Sequence, residues 1–345
     1  MKASLLFLLL FAAGTPFFGG CKRSPQSAAT PADTTKAAPL TTIAFGSCNR
    51  ENKEQPLWPV IVGNRPQLWI WLGDNIYGDT QNMDTLQAKY YRQRSNPGYQ
   101  LLAVSTPIIG IWDDHDYGVN DGGKEYPQKK QSQQLMLDFL GEPKNSPRRK
   151  QAGAYASYTY GPAGKRVKVI LLDARYFRDP LKKEGKANVP DPAGKILGEV
   201  QWQWLEKELR GSPADVHLIG SGIQILPDEH PYEKWANFPR ERQRLFNLLA
   251  ATGARGVVLL SGDRHIAEIM KHQPDGVRYP VYEITASGLT HSSTQNTGEP
   301  NRYRVGKLVN VLNFGLIRID WENRRLQLQV RGLGNELLES QAVGF

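Results

Sequence analysis

Four short polar clusters hold the side chains best suited to chemistry: Ser47-Cys48-Asn49, Gly73-Asp74-Asn75 with Tyr77 close behind, Asp113-Asp114-His115-Asp116, and Gly262-Asp263-Arg264-His265. The third is the most demanding, because Asn120 and Asp121 follow its three carboxylates within a turn. Carboxylates gathered this closely repel one another unless a positive charge sits among them; a solvated loop is the alternative. Asp74 and Tyr77 either face a hard cation together or serve a turn, the Asp capping and the Tyr packing. Asp263 and His265 alternate, so they either line one edge or share a plain hydrogen bond. Cys48 taken alone reads as a small buried hydrophobe. Taken together, the clusters offer carboxylate, phenolate, thiolate and imidazole. Oxygen donors suit hard cations, whereas thiolate and imidazole suit transition metals. A mixed site for two cations follows, able to bind phosphate, activate water and stabilise a departing oxygen.

Residues so far apart meet only if the fold delivers them to one place. Each cluster follows a short apolar run. Residues 41–47, 67–74, 107–114, 166–174, 215–222 and 256–263 read as buried strands bounded by Gly, Pro and Asn. Helical spacing occupies 131–141, 197–211 and 240–253, the last two ending in Gly. Towards the C-terminus, "YPVYEITAS", "LNFGLIRIDW" and "RLQLQVRGL" succeed one another as strands with no helix between. The pattern predicts α/β layers with a final antiparallel stretch joining or extending a sheet. Ligands of open α/β sheets bind beyond the carboxyl ends of strands, so clusters placed there can share one site. His217, His230, His272 and His291 have no ligand-like neighbour in sequence and read as structural or surface residues.

The chain has 345 residues, 40% hydrophobic and 22% charged, enough for a sizeable core. Its formal charge is +9, or +8 once Lys2 is removed (9 − 1), which favours anionic partners. No basic run is interleaved with aromatics, so no specific nucleic-acid partner is expected. Residues 1–20 read as an export signal, with Lys2 ahead of an apolar run at 5–13. "FFGGC" resembles the lipobox of bacterial lipoproteins, which implies lipidation at Cys21; ordinary signal cleavage nearby is the alternative. Residues 21–40, rich in Ser, Ala, Thr and Pro, read as a flexible tether, and 41–345 as one domain without repeats. Cys48, the only other cysteine, then has no intramolecular partner and is either inert or bound to something. The stretch 120–165, rich in Lys, Arg, Gly and Pro, is the expected cover of the site.

"FGSCN", "GDNIY", "WDDHDYGVND" and "SGDRH", in this order, resemble the alkaline phosphatase D (PhoD-like) family of metallophosphatases, as do "LLDARYFRD" and "GSGIQIL" between them. The resemblance runs from about residue 42 to about residue 270. It implies a four-layer α/β/β/α sandwich with two mixed sheets, and metal-dependent hydrolysis of phosphate esters by a metal-activated hydroxide. The cofactors implied are Fe(III) and Ca²⁺, other divalent metals being possible. Carried over by residue, Asp74 bridges two centres; Cys48, Tyr77 and His265 complete the ferric one; Asp114 and Asp263 hold calcium with Asp74; Asn120 serves a second calcium. His115 protonates the leaving group, with Asp116 keeping it protonated. Arg175 holds phosphate oxygens or else pairs with Asp173 or Asp179. The expected partner is a small phosphoester or an anionic polymer. Alternatives are a phosphodiesterase or phospholipase acting on envelope polymers, nucleotides or phospholipids, and a non-catalytic calcium-dependent surface binding protein. The expected location is the cell envelope, periplasmic or cell-surface, with a lipid anchor in the membrane; the sequence leaves the oligomeric state open.

Overall fold

The computed structural model describes residues 38–296 and 298–345. The export signal, Cys21 and the tether up to residue 37 lie outside the described residues. Leu40 already belongs to the core, and its carbonyl accepts a hydrogen bond from Trp321 Nε1 at 2.8 Å.

The first sheet has three parallel strands, β1 (Thr42–Gly46), β2 (Leu68–Leu72) and β3 (Ile108–Ile111). Antiparallel β13 (Phe314–Asp320), β14 (Arg325–Arg331) and β15 (Leu337–Gly344) extend it in the order β15-β14-β13-β1-β2-β3. The second sheet combines β4 (Ala156–Tyr160), β5 (Val167–Leu171), β8 (Val216–Ser221), β9 (Val257–Ser261), β10 (Ala267–His272), β11 (Val281–Ala286) and β12 (Arg304–Val309). Its order is β12-β10-β11-β9-β8-β5-β4, with β5, β8, β9 and β11 parallel. A small hairpin, β6 (Lys182–Glu184) and β7 (Ala187–Val189), stands apart.

Strands buried on both faces need continuous apolar runs, and "LWIWL" in β2 is buried at every position. The period of two then sorts the faces. Trp69 and Trp71 meet Trp58 of α1 (Trp58–Gly63) edge to face, at ring centroids 5.3 and 5.5 Å away. Tyr99 of α3 (Pro97–Ser105) and Phe139 of α5 (Lys129–Phe139) pack on Trp71 as well. Leu72 points the other way, against Gly220 of the second sheet. In β5, Val167, Val169 and Leu171 join the core between the sheets. Ile170 instead faces α6 (Gly198–Leu209) and α7 (Pro239–Thr252), among Trp202, Leu205, Leu245 and Leu249. The result is helices, sheet, sheet, helices, as the resemblance implied, and the C-terminal strands do extend a sheet.

Four helices escape the sequence pattern, the shortest being α4 (Asp114–Tyr117). In α2 (Met83–Arg94) only Leu86, Tyr90 and Gln93 are buried, too thin an apolar stripe to detect. The helices α1 and α3 are short, and begin at proline turns instead of at an amphipathic run.

Candidate metal centre

The parallel strands of both sheets end at one edge. Cys48 follows β1, Asp74 and Tyr77 follow β2, residues 113–116 follow β3, and Asp263 and His265 follow β9. The two edges touch: a Cβ on Gly262 would lie 2.5 Å from Ser47 Oγ and 2.8 Å from the Leu72 carbonyl. The backbone is bent to aim these side chains. Cys48 (φ 60°), Asp74 (48°), Asp79 (46°), Asp121 (56°), Asp263 (69°) and His265 (54°) all take the left-handed conformation. Such residues cost on the order of 1–3 kcal/mol each, a cost concentrated at functional sites.

Cys48 Sγ donates to Asp74 Oδ2 at 3.4 Å, and Tyr77 Oη lies 3.3 Å from the same oxygen and 2.9 Å from His265 Nε2. Ligand atoms of Cys48, Asp74 and His265 lie within 4.8 Å of one another; so do those of Asp113, Asp114 and Asp263, of Asp74, Asp114 and His115, and of Asp114, Asp121 and Glu233. The electrostatics fit a cation. Burial pushes the Cys48 thiol up. It drives Asp74 well above the carboxylate range, helped by Cys48 and Asp114, and Tyr77 well above the phenol range, helped by Cys48 and Asp74. Burial and the charge of Asp114 raise Asp263 to about 6. Asp114 differs: burial would raise it, but Arg175, His115 and the Asp121 amide hold it below its ordinary value. Buried anionic donors that repel one another are what a bound cation relieves. Thiol, phenol and imidazole suit a transition ion, and the carboxylate groups suit a hard one such as calcium.

His115 stacks on Tyr77, with ring centroids 4.2 Å apart, and its Nδ1 lies 2.7 Å from Asp79 Oδ1. Burial would lower its pKa, but that hydrogen bond and the charge of Asp114 raise it to about 9. Asp79, half-exposed, therefore has the role expected of Asp116. The Asp116 carboxylate is instead buried and accepts from the Asp113 amide at 2.7 Å, the Asp74 amide at 3.1 Å and Asn75 Nδ2 at 2.5 Å. It ties the β2 and β3 loops together, and burial lifts it to about 7.

Arg175 also departs from expectation. It is fully buried, with Nε 2.6 Å from Asp113 Oδ1, Nη1 2.6 Å from Glu233 Oε2 and Nη2 3.9 Å from Asp114 Oδ1. It lies beneath the loops, held by buried carboxylates that need its charge. Neither expected pairing forms: Asp173 takes the backbone amide of Arg175 at 2.9 Å, and Asp179 pairs with Lys124.

A cleft of about 700 Å³ opens over the site, lined by Asp114, His115, Asn120, Asp121, Asp263, Arg264 and His265. Asn120 reaches its wall, whereas Asp121, one residue on, joins the carboxylate group with Asp114 and Glu233. Little of the expected 120–165 cover is present. Most of it is structural, with the buried Arg148 guanidinium donating to the Gly110 carbonyl at 2.7 Å. Beyond Asn120 and Asp121, the outer wall comes from Lys183, Lys186 and Asn188 of the β6–β7 hairpin, and from Tyr232 and Glu299.

Among the remaining histidines, His217 is structural as expected, held by the Arg255 carbonyl and Ser212 Oγ at 2.7 and 2.9 Å. His291 is not: its Nε2 lies 3.0 Å from Tyr77 Oη and 3.1 Å from His265 Nε2. Burial, then His265 and Arg50, lower its pKa to about 3. It follows β11, so the strand-end rule applied to "YPVYEITAS" would have found it. Asp79 and Glu233 carry no comparable local signal.

Comparison with known proteins gives a consistent result. A family model described as PhoD-like phosphatase matches residues 43–330. Alkaline phosphatase D of Bacillus subtilis (strain 168) is 23% identical over 273 residues, 66% of this chain and 46% of that protein. The chain thus spans about half the length of this curated relative. A solved structure of PhoD superimposes with a TM-score of 0.70 at 18% identity, over 90% of this chain and 69% of that one. GAP50, the anchor in the inner membrane complex of Plasmodium, gives 0.59 at 14% identity, covering 89% of each chain. A dimetal phosphatase from Danio rerio gives 0.53 at 13% identity, over 89% of this chain and 99% of that one. At these identities the likeness is one of fold, shared by an anchor and a phosphatase, so activity has to be argued from the site.

Proposed function

The chain belongs to the PhoD-like phosphatase family, and on that premise we propose that it hydrolyses phosphate esters at a metal centre. The observation that carries this reading is the convergence of Cys48, Asp74, Tyr77 and His265, four donors from three strand ends, beside the carboxylates of Asp114 and Asp263. The first four would hold one ion, which we assign as iron(III). Asp114 and Asp263, with Asp74 shared, would hold calcium, and Asp121 and Glu233, with Asn120 at the wall, are the residues for a second. When bound, such ions neutralise phosphate charge and make a nucleophilic water available near neutral pH.

The chain's own groups do the rest. Asp79 accepts from Nδ1 of His115, which leaves Nε2 for the leaving oxygen. The imidazolium, protonated below about pH 9, delivers its proton there as the ester bond breaks. Arg50, its guanidinium 4.0 Å from the Tyr77 ring centroid and in no ion pair among the described residues, takes over from Arg175 the role of meeting a phosphate oxygen. The size of the cleft, with Lys186 on its outer wall beside Lys183, which pairs with Asp121 at 3.0 Å, supports a phosphodiester or anionic polymer more than a small monoester.

The test is hydrolysis of bis-p-nitrophenyl phosphate beside p-nitrophenyl phosphate, with metal analysis of protein purified without chelators. We expect the diester to be preferred, iron and calcium to copurify, and His115→Ala and Asp114→Asn to lose most activity. Variants as fast as the parent would rule out this site; zinc alone would remove the iron assignment. We further propose export and lipid anchoring at Cys21, a reading that rests on residues 1–21. Palmitate labelling should mark the parent but not Cys21→Ser; equal labelling would refute it.

A further inference from the structure

The centre holds one more nitrogen than this assignment uses. Tyr77 Oη, His265 Nε2 and His291 Nε2 form a nearly equilateral triangle, with edges of 2.9, 3.0 and 3.1 Å. Adjacent ligands of an octahedral ion with bonds of about 2.1 Å stand about 3.0 Å apart. The spacing therefore suits three donors on one ion.

Hydrogen bonding selects the His291 tautomer. Thr290 Oγ1 accepts from the Arg50 amide at 2.8 Å and donates its only hydrogen to the Cys48 carbonyl at 3.3 Å. With the hydroxyl hydrogen directed to the Cys48 carbonyl, His291 Nδ1, 3.0 Å from that hydroxyl, is the donor between them. Nε2 is left with a lone pair directed at Tyr77 and His265. A histidine whose second nitrogen is held by a hydrogen bond is the usual arrangement for a metal ligand. The backbone fixes the position too: the His265 carbonyl accepts from Ser292 Oγ and from the Ser293 amide, both at 2.7 Å. The segment carrying His291 is thus pinned to the loop carrying His265.

We propose that His291 is a ligand of the ion held by Cys48, Asp74, Tyr77 and His265, an inference that rests on the metal-centre reading above. Its imidazole adds a neutral nitrogen to a set otherwise supplied by one thiolate, one carboxylate, one phenolate and one imidazole. The ring comes from β11, a strand that contributes nothing else to the set, so His291 also ties the β11 loop to the centre.

The experiment is a cobalt(II) titration of metal-free protein, followed by visible absorption. It compares the parent with His291→Ala, His291→Gln and Cys48→Ser. The parent should show d–d bands and a thiolate charge-transfer band, and Cys48→Ser should lose the latter. Both His291 variants should bind cobalt at least about tenfold more weakly, with displaced d–d bands. The Gln side chain can still hydrogen-bond Tyr77 but is a poor ligand. A Gln variant with parental affinity and spectrum would therefore overturn the proposal in favour of a hydrogen-bonding role. If the parent takes up no cobalt while keeping its fold, the metal-centre reading fails, and this proposal fails with it.

Discussion

Replacing Arg175 by Met separates a buried ion pair from a phosphate-binding role. The guanidinium has no exposure and is bonded at 2.6 Å to both Asp113 and Glu233, with Asp114 at 3.9 Å. Methionine keeps much of the volume and none of the charge. Asp113 would be left buried without a counter-charge, and Glu233 would keep only Arg178, at 2.9 Å; breaking a buried pair in this way costs about 3–5 kcal/mol. At roughly 2–4 °C per kcal/mol for a large domain, the melting temperature should fall by roughly 10 °C. The sign of the pH dependence follows from Asp113, which burial holds well above its ordinary pKa even against the pull of Arg175. A carboxylate raised in the folded state destabilises it once ionised. The deficit of the variant should therefore grow as pH rises above the ordinary carboxylate range and shrink on acidification. Thermal melts from about pH 5 to pH 8, with Arg175→Lys alongside and diester kinetics on the same samples, make the measurement. A melting temperature within about 2 °C of the parent, combined with a many-fold rise in KM, would mean that Arg175 binds phosphate and that the pair is not structural.

Other perturbations address other contacts. His115 is held at about 9, so its acid form is present below that pH and lost above it; Asp79→Asn should move the alkaline limb of the kcat/KM profile down by about 1 pH unit. An unmoved limb would assign that limb to a different group. A Cβ on Gly222 would overlap the Asp113 carboxylate, so Gly222→Ala should cost about 1–3 kcal/mol in urea unfolding. Gly63→Ala, with no atom near the added carbon, should cost nothing of that size. Because Cys48, Asp74 and Tyr77 are all raised, metal uptake should release protons and tighten with pH. Calorimetry in buffers of different ionisation enthalpy measures the release, and zero release would contradict the ligand set.

Much of the site was legible because each cluster follows a short apolar run bounded by turn residues, which reads as a strand, and parallel strands deliver their C-terminal loops to one edge. Cys48, Asp74, Tyr77, Asp114, His115, Asp263 and His265 are all found there. The helices α1, α2 and α3 were not legible, since their buried faces are too small to leave a period in the sequence. The cover was misplaced because a Lys- and Arg-rich stretch looks solvated, yet Arg148 inside it is buried against backbone carbonyls.

Arg175 and Asp116 show a different kind of limit. Both stand beside strand ends, where proximity in sequence suggested substrate and His115 as their partners. Their side chains turned instead to what burial required, a counterion for Asp113 and Glu233 and an acceptor for four amide donors. Asp79 meets His115 across 36 residues, Glu233 meets Arg175 across 58, and His291 meets Tyr77 across 214. The sequence by itself determined which donor atoms exist and at which strand ends they emerge, because apolar periodicity and strand-end loops are local. Only the tertiary structure decided which donor faces which, because charge compensation and desolvation belong to a point in space where several distant segments meet.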